Sequence, residues 1–389
     1  MINNLHLTVS PYDHPSRILK ETESLVRGGV VDAVHIAALQ QDGEPEREEI
    51  DCQRTIWRVR LLTRNWSKRL FVQAFKLLEY SVRVTFLARR HNIKMINVHN
   101  VAALPLGVFL KWICGAELVY DTHELETETF GKNRIHKIVS KLFERTLIRQ
   151  ARLVIVVGDA IKKWYEEEYG LNNVVTAMNC PKYRAPRKTN LIRSEQGIGE
   201  DKKIVIYQGG LWHGRGIEQL LEAFAQMEDD RFVLVCMGFG ELSGLIASYQ
   251  QRHDNIYLQK SADPSEVLEY TSSADFGVAY IDNPSLNDQY CLPNKFFEYI
   301  MSGLPVLVND APEMRRIVEA YGIGQVLTEL TAESVPVALD ALVSLGEETL
   351  RSNLEKAGTD CAWENQACRM LEAYNEHVIP NFLLNRQSA

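Results

Sequence analysis

Leu292-Pro-Asn-Lys-Phe-Phe-Glu-Tyr-Ile-Met-Ser-Gly-Leu-Pro-Val-Leu-Val308 reads as a loop, a short helix with one acidic residue, a glycine stop and a buried strand. Asn294 and Lys295 stand at the start of that helix, and Glu298 sits inside it beside Phe296, Phe297 and Ile300. A carboxylate in such apolar company is costly unless something pairs with it, and the hydroxyls of a ribose would suit it. A solvent-facing Glu on an ordinary amphipathic helix is the alternative.

The same alternation of strand and helix runs outward in both directions. Upstream, strands are expected at 203–207, 232–236, 255–259 and 275–281, each followed by glycines or a helix. Further back, strands at 5–9, 30–38, 94–99, 117–121, 153–157 and 174–178 alternate with helices that include 69–90, 105–114 and 134–149. Strands separated by helices of this length argue for doubly wound parallel sheets. The stretch 179–189, with two prolines and several charges, breaks the pattern and reads as a linker. The expected fold class is α/β, with two Rossmann-like doubly wound domains at 1–185 and 195–365 and a terminal helix at 363–385. Residues 40–51 are polar and acidic and read as a surface loop.

Ligands of open parallel sheets bind at the carboxyl ends of strands. Gly209-Gly-Leu-Trp-His-Gly-Arg-Gly216 follows a strand and opens a helix. Gly209 and Gly210 would let backbone N–H groups approach a phosphate, and Arg215 adds a fork-shaped cation suited to a diphosphate. A tight turn with a surface Arg is the structural alternative. Gly238-Phe-Gly240 closes the next strand and reads as a turn near a nucleotide. In the first half, His99 and His123 each end a strand, where a lone His is often a structural hydrogen-bonder. Asp13 and Arg17 lie on or beside the first loop.

These segments resemble the family 4 glycosyltransferases of the GT-B fold. The 292–308 block resembles the family's P-x-K-x-x-E segment, 209–216 its G-x-L-x-x-x-K/R-G loop, and 119–125 its D-x-H segment. The resemblance implies two domains facing a cleft, with the C-terminal helix closing back on the first. It implies a nucleoside diphosphate sugar donor, with UDP the expected nucleotide, and neither a bound cofactor nor a metal. Glu298 would bind the ribose, Arg215 with Gly209 and Gly210 the diphosphate, and His123 the sugar. Lys295 would assist, and Asp13 and Arg17 would approach the acceptor, a glycan or lipid-linked glycan. Transfer would proceed with retention. Two departures stand out. Gly210 replaces a common Arg, and Tyr290 replaces the first of two glutamates separated by seven residues, leaving Asp288 or Asn287 as substitutes. A sugar-nucleotide epimerase and a non-catalytic partner subunit of a polysaccharide assembly complex fit the same residues.

Hydrophobic content of 46% with 24% charged residues is that of a soluble globular protein. The N-terminus lacks a basic-then-apolar signal, and seven scattered cysteines show no zinc spacing, so a cytoplasmic protein with reduced thiols is expected. Residues 1–190 hold 29 Lys and Arg against 21 Asp and Glu, whereas the whole chain carries −8. The halves thus differ in sign, which suggests different partners. The window 54–90 holds ten cations and one acid among Trp, Phe and Leu. It is expected to touch anionic membrane at the inner face, with ordinary packing as the alternative. No nucleic-acid motif is seen.

Overall fold

The computed structural model describes residues 1–11, 16–64, 66, 70–129, 134–282 and 285–382. The chain divides into two compact units, Met1–Ala177 with Gln366–Ala389, and Met178–Asn365.

The first unit is built on strands β1 (Asn3–Pro11), β2 (Ala33–Leu39), β3 (Arg47–Glu49), β4 (Arg54–Val59), β5 (Ile93–Val98), β6 (Glu117–Asp121), β7 (Leu153–Val156) and β8 (Val174–Thr176). They form one sheet in the order β3-β4-β2-β1-β5-β6-β7-β8, parallel except for β3 at the edge. Strands covered on both faces need continuous apolar runs, as in β7, whose Leu-Val-Ile-Val is wholly buried. The connecting helices are α1 (Ser16–Arg27), α2 (Leu70–Arg90), α3 (Leu104–Cys114), α4 (Arg134–Leu147) and α5 (Asp159–Tyr169). Pro105 opens α3, and Gly115 ends it in the left-handed conformation. A Cβ at Gly107 would lie 2.4 Å from a methyl of Val98, so only glycine lets α3 settle this closely on β5.

Two expectations need correction here. The acidic stretch 40–51 is not wholly loop, because Arg47–Glu49 pairs antiparallel with β4. The window 54–90 is not one helical region. Arg54–Val59 is a strand, and half-buried Trp57 donates its indole N–H to His35 Nδ1 at 3.1 Å.

The second unit contains α6 (Leu191–Gln196), β9 (Lys203–Gly210), α7 (Ile217–Gln226), β10 (Phe232–Phe239), α8 (Ser243–Gln250), β11 (Ile256–Lys260), α9 (Val267–Thr271) and β12 (Phe276–Ala279). It continues with α10 (Leu286–Gln289), α11 (Asn294–Met301), β13 (Val306–Asn309), α12 (Pro312–Tyr321), β14 (Gly324–Leu327), α13 (Ser334–Ser344) and α14 (Glu347–Cys361). Its six strands are all parallel, in the order β11-β10-β9-β12-β13-β14. Strand order reverses between β9 and β12, and such sheets bind ligands beyond the strand ends at this switch point, here past Gly210 and Ala279.

The final helix, α15 (Trp363–His377), belongs to the first unit from Gln366 onward. Tyr374 is buried there and its hydroxyl accepts from Asn97 Nδ2 at 2.5 Å. No helix among the described residues is long and apolar enough to cross a membrane.

Candidate functional site

The end of β9 and the start of α11 bring most of the second unit's candidates together. Gly277 has no side chain, and a Cβ there would lie 2.4 Å from the Tyr299 ring. Tyr299 therefore lies flat on β12, and its hydroxyl accepts from the Gln208 amide at 2.9 Å and donates to the Val278 carbonyl at 3.2 Å. This seats α11 against β9. Glu298, half-buried, then accepts from Gln208 Nε2 at 2.5 Å, and Gln208 Oε1 accepts from Thr271 Oγ1. The carboxylate is thus positioned by a buried relay, Thr271 to Gln208 to Glu298. Neither Gln208 nor Thr271 was found by sequence reasoning, because each is an ordinary polar residue until the fold places it.

Lys295 is the most unusual group in this unit. Its Nζ is sealed from water and has no hydrogen-bond partner. It lies 3.5 Å from the centroid of the Tyr207 ring. Burial, and secondly the nearby Arg215 guanidinium, push its pKa down to about 7, while Glu298 opposes that shift. Arg215 itself is exposed and makes no ion pair among the described residues. Two cations that act on each other, one of them desolvated, have the chemistry to receive an anionic group such as a diphosphate.

The loop between them is glycine-rich for identifiable reasons. Gly209 and Gly216 have φ of +112° and +71°, and a Cβ at Gly216 would strike the Tyr280 ring at 2.7 Å. Gly238 and Gly240 serve packing: a Cβ would lie 1.9 Å from the Gly209 carbonyl oxygen in one case and 2.3 Å from that of Leu211 in the other. They let β10 approach the 209–216 loop closely. At Gly210 a Cβ would lie 2.5 Å from the Trp212 indole, which meets Phe239 edge-on at 6.5 Å. Trp212 thus covers the position where an Arg was expected. Asn294 is exposed and accepts from Asn179 Nδ2 at 2.8 Å. Asp288 is engaged in capping α10 through Ser285.

The first unit holds a separate buried cluster at the carboxyl ends of β1, β5 and β6. Arg17 of α1 grips Asp121 with two nitrogens, at 3.0 and 2.7 Å, and donates to the Ala177 carbonyl at 2.8 Å. Arg17 is buried, so it is a structural cation of the cluster and not the exposed acceptor contact expected from the sequence. Asp13 lies outside the described residues. Asp121 Oδ2 faces His123 Nε2 at 2.9 Å and His99 Nδ1 at 3.1 Å. His99 Nε2 in turn faces His6 Nδ1 at 2.8 Å. Burial lowers the pKa of His6 and of His99, so both rings are neutral at pH 7. The hydrogen-bond chain then fixes the tautomers: His6 Nδ1–H donates to His99, and His99 Nδ1–H and His123 Nε2–H donate to Asp121. His123 is about one-third exposed, and its Nε2 also lies 3.2 Å from His99 Nδ1.

Donor atoms of His6, Glu21 and His99, and of His99, Asp121 and His123, lie within 4.8 Å of one another. The spacing suits a divalent cation, but the Arg17 guanidinium sits against both Asp121 and Glu21 and opposes a second positive charge there.

Two family models match the chain. Residues 22–179 match the family model for Glycosyltransferase Family 4, and residues 188–360 match that for Glycosyl transferases group 1. The chain belongs to the GT-B glycosyltransferases of the family 4 type. It is 23% identical over 251 residues to TuaH of Bacillus subtilis (strain 168), described as a proposed teichuronic acid biosynthesis glycosyltransferase. That match spans 60% of this chain and 61% of the relative. Among solved structures, sucrose-phosphate synthase from Thermosynechococcus elongatus superposes with a TM-score of 0.78 at 16% identity, covering 97% of this chain and 99% of that one. HepE from Anabaena, in complex with UDP-glucose, gives 0.72 at 15% identity, covering 97% and 100%.

Proposed function

We propose that the protein transfers a glycosyl unit from a nucleoside diphosphate sugar to an acceptor hydroxyl, with retention at the anomeric carbon. The observation that carries this reading is the sealed, unpartnered ammonium of Lys295 beside the exposed Arg215. A buried cation without a counter-ion is costly, and a bound diphosphate removes the cost. As the glycosidic bond breaks, negative charge grows on the leaving diphosphate, and preorganised cations at that position lower the barrier. Two protein cations supply there the charge that a divalent metal could otherwise provide. Glu298, oriented by Gln208, accepts hydrogen bonds from the ribose hydroxyls. His123 offers Nδ1 as an acceptor for a hydroxyl of the donor sugar. UDP is the first nucleotide to try, because HepE was solved with UDP-glucose, and the relative TuaH points to a polysaccharide precursor as acceptor.

Thermal unfolding with UDP, GDP and ADP, using NAD as a control, tests the donor site. One nucleoside diphosphate should raise the midpoint, by about 2.7 kcal/mol of added stability at 100 times Kd. Arg215→Ala should remove most of that shift. If no nucleotide shifts the wild type, the donor-site assignment fails. Glu298→Gln separates ribose from phosphate recognition. It should weaken UDP binding about ten- to a hundred-fold, the range for a lost charge-assisted pair, and leave inorganic pyrophosphate binding nearly unchanged. Equal losses for the two ligands would remove Glu298 from the ribose role.

A further inference from the structure

We propose that the outer face formed by α2, α3 and α4 docks on an anionic lipid bilayer. On α2, Phe75, Leu78, Val82 and Phe86 recur at helical spacing along one stripe, and each is between 48 and 71% exposed. On α3, Phe109 and Trp112 are exposed one turn apart, Trp112 by 69%. On α4, Ile138 and Leu142 continue the pattern at 58 and 61%. α3 packs against both α2 and α4, so the helices that carry the three stripes lie side by side. Scattered exposed apolar side chains are ordinary, whereas a contiguous set of Phe, Trp, Leu and Ile on neighbouring helices marks a contact surface.

Charge selects the occupant. The three helices carry nine Lys and Arg against two Glu. Of those two, Glu144 is buried under Tyr120, Tyr165 and Tyr169, and Glu79 is held by the Leu62 and Thr63 amides and by Arg83. A second copy of this chain would place the cations against their own images in a two-fold contact, which repels. Nucleic acid would gain nothing from the Leu, Ile and Val that line the stripes. A bilayer with anionic headgroups satisfies both halves of the pattern. Trp and Phe seat at the headgroup boundary, and Arg89, Arg90 and Arg145 lie among the phosphates. The surface expected from the window 54–90 is thus corrected: Arg54–Val59 lies within the sheet, and the contact face runs on to α3 and α4. This inference stands apart from the donor-site reading, whose cations Lys295 and Arg215 lie in the other unit.

The test is flotation of the full chain with phosphatidylcholine vesicles, with and without about 30% phosphatidylglycerol, a charge density that attracts polybasic surfaces. Tryptophan emission is followed alongside. The wild type should float with anionic vesicles, shift its emission to the blue, and be released as salt rises. Phe86→Ser/Trp112→Ser/Leu142→Ser should weaken binding at least about ten-fold while the midpoint of unfolding and the response to UDP stay put, because the three side chains are exposed. Arg89→Glu/Arg90→Glu should weaken binding and its salt dependence without removing any apolar group. No binding by the wild type, or binding by both variants as tight as the wild type's, overturns the proposal. So does a dimer in light scattering that the triple variant dissolves, or binding of an oligonucleotide in place of vesicles.

Discussion

Lys295→Met is expected to abolish nucleoside diphosphate binding and at the same time stabilise the fold. The two effects share one cause. The ammonium is sealed from water without a hydrogen-bond partner, so the ligand-free protein carries an unrewarded charge. Met has a similar length, removes that charge and keeps the contact with the Tyr207 ring. The affinity for UDP should fall by about a hundred-fold or more, as for other desolvated charge pairs with phosphate. The unfolding midpoint should rise by about 2–4 °C for each kcal/mol gained. Titration calorimetry and differential scanning calorimetry read the two quantities separately. A lower midpoint with unchanged affinity would show Lys295 to be a structural cation.

The protonation of Lys295 gives a second readout. Its pKa is pushed down to about 7 in the free protein, and a bound diphosphate restores it toward the ordinary lysine value. At pH 8, UDP binding should therefore take up close to one proton, seen as a dependence of the binding enthalpy on the buffer's ionisation enthalpy. Lys295→Met should show no such uptake. The sign for stability follows from the same shift. Between pH of about 7 and about 10 the unfolded chain holds more protons on this residue than the folded one, so its contribution to stability rises with pH in that window.

Much of this was legible in the sequence because the decisive signals are local. Buried parallel strands announce themselves as Val and Ile runs, as in Leu153–Val156 and Lys203–Gly210, and their glycine-rich ends mark where ligands enter. What was missed depends on distant neighbours. The segment from Pro312 to Cys361 forms three helices and a strand, yet β14 is only four residues long and half-polar, and gave no periodic signal. Gln208 and Thr271 are 63 residues apart and become a relay only when β9 and α9 meet. Arg17 looked like a loop-side acceptor contact because a lone Arg near a glycine-free turn carries no sign of its partner. Asp121, 104 residues on, makes it a buried pair. Glu21 gave no signal at all, being one of two acids in a helix whose inward face only the fold defines.

Glu21 carries the other large expected effect. Both of its carboxylate oxygens are sealed without hydrogen-bond partners; the Arg17 guanidinium stands 3.3 Å away and His99 Nδ1 4.0 Å away. Burial, and then the charge of Asp121, raise its pKa well above the usual range. Asp121 is held in the opposite direction: despite its burial, Arg17 and then His123 keep it ionised. One cation thus serves two carboxylates, and Asp121 wins it. Removing the winner by Asp121→Asn leaves Arg17 buried without its strong partner, which typically costs about 3–5 kcal/mol. Glu21 should then lose its proton and take up part of that role, so the loss should be smaller at pH 8 than at pH 5. Removing the loser acts the other way. In the wild type, as pH rises above about 4.5, the unfolded Glu21 releases its proton while the folded one keeps it, so stability falls by about 1.4 kcal/mol per unit until the folded pKa is passed. Glu21→Gln abolishes that slope and should gain on the wild type steadily from pH 5 to 8. The buried histidines, whose lowered pKa values act in the opposite sense below pH 6.5, are common to both proteins and cancel in the difference. Urea denaturation of the pair across this range measures it directly, and a difference that stays flat with pH would mean that Glu21 is already ionised in the fold.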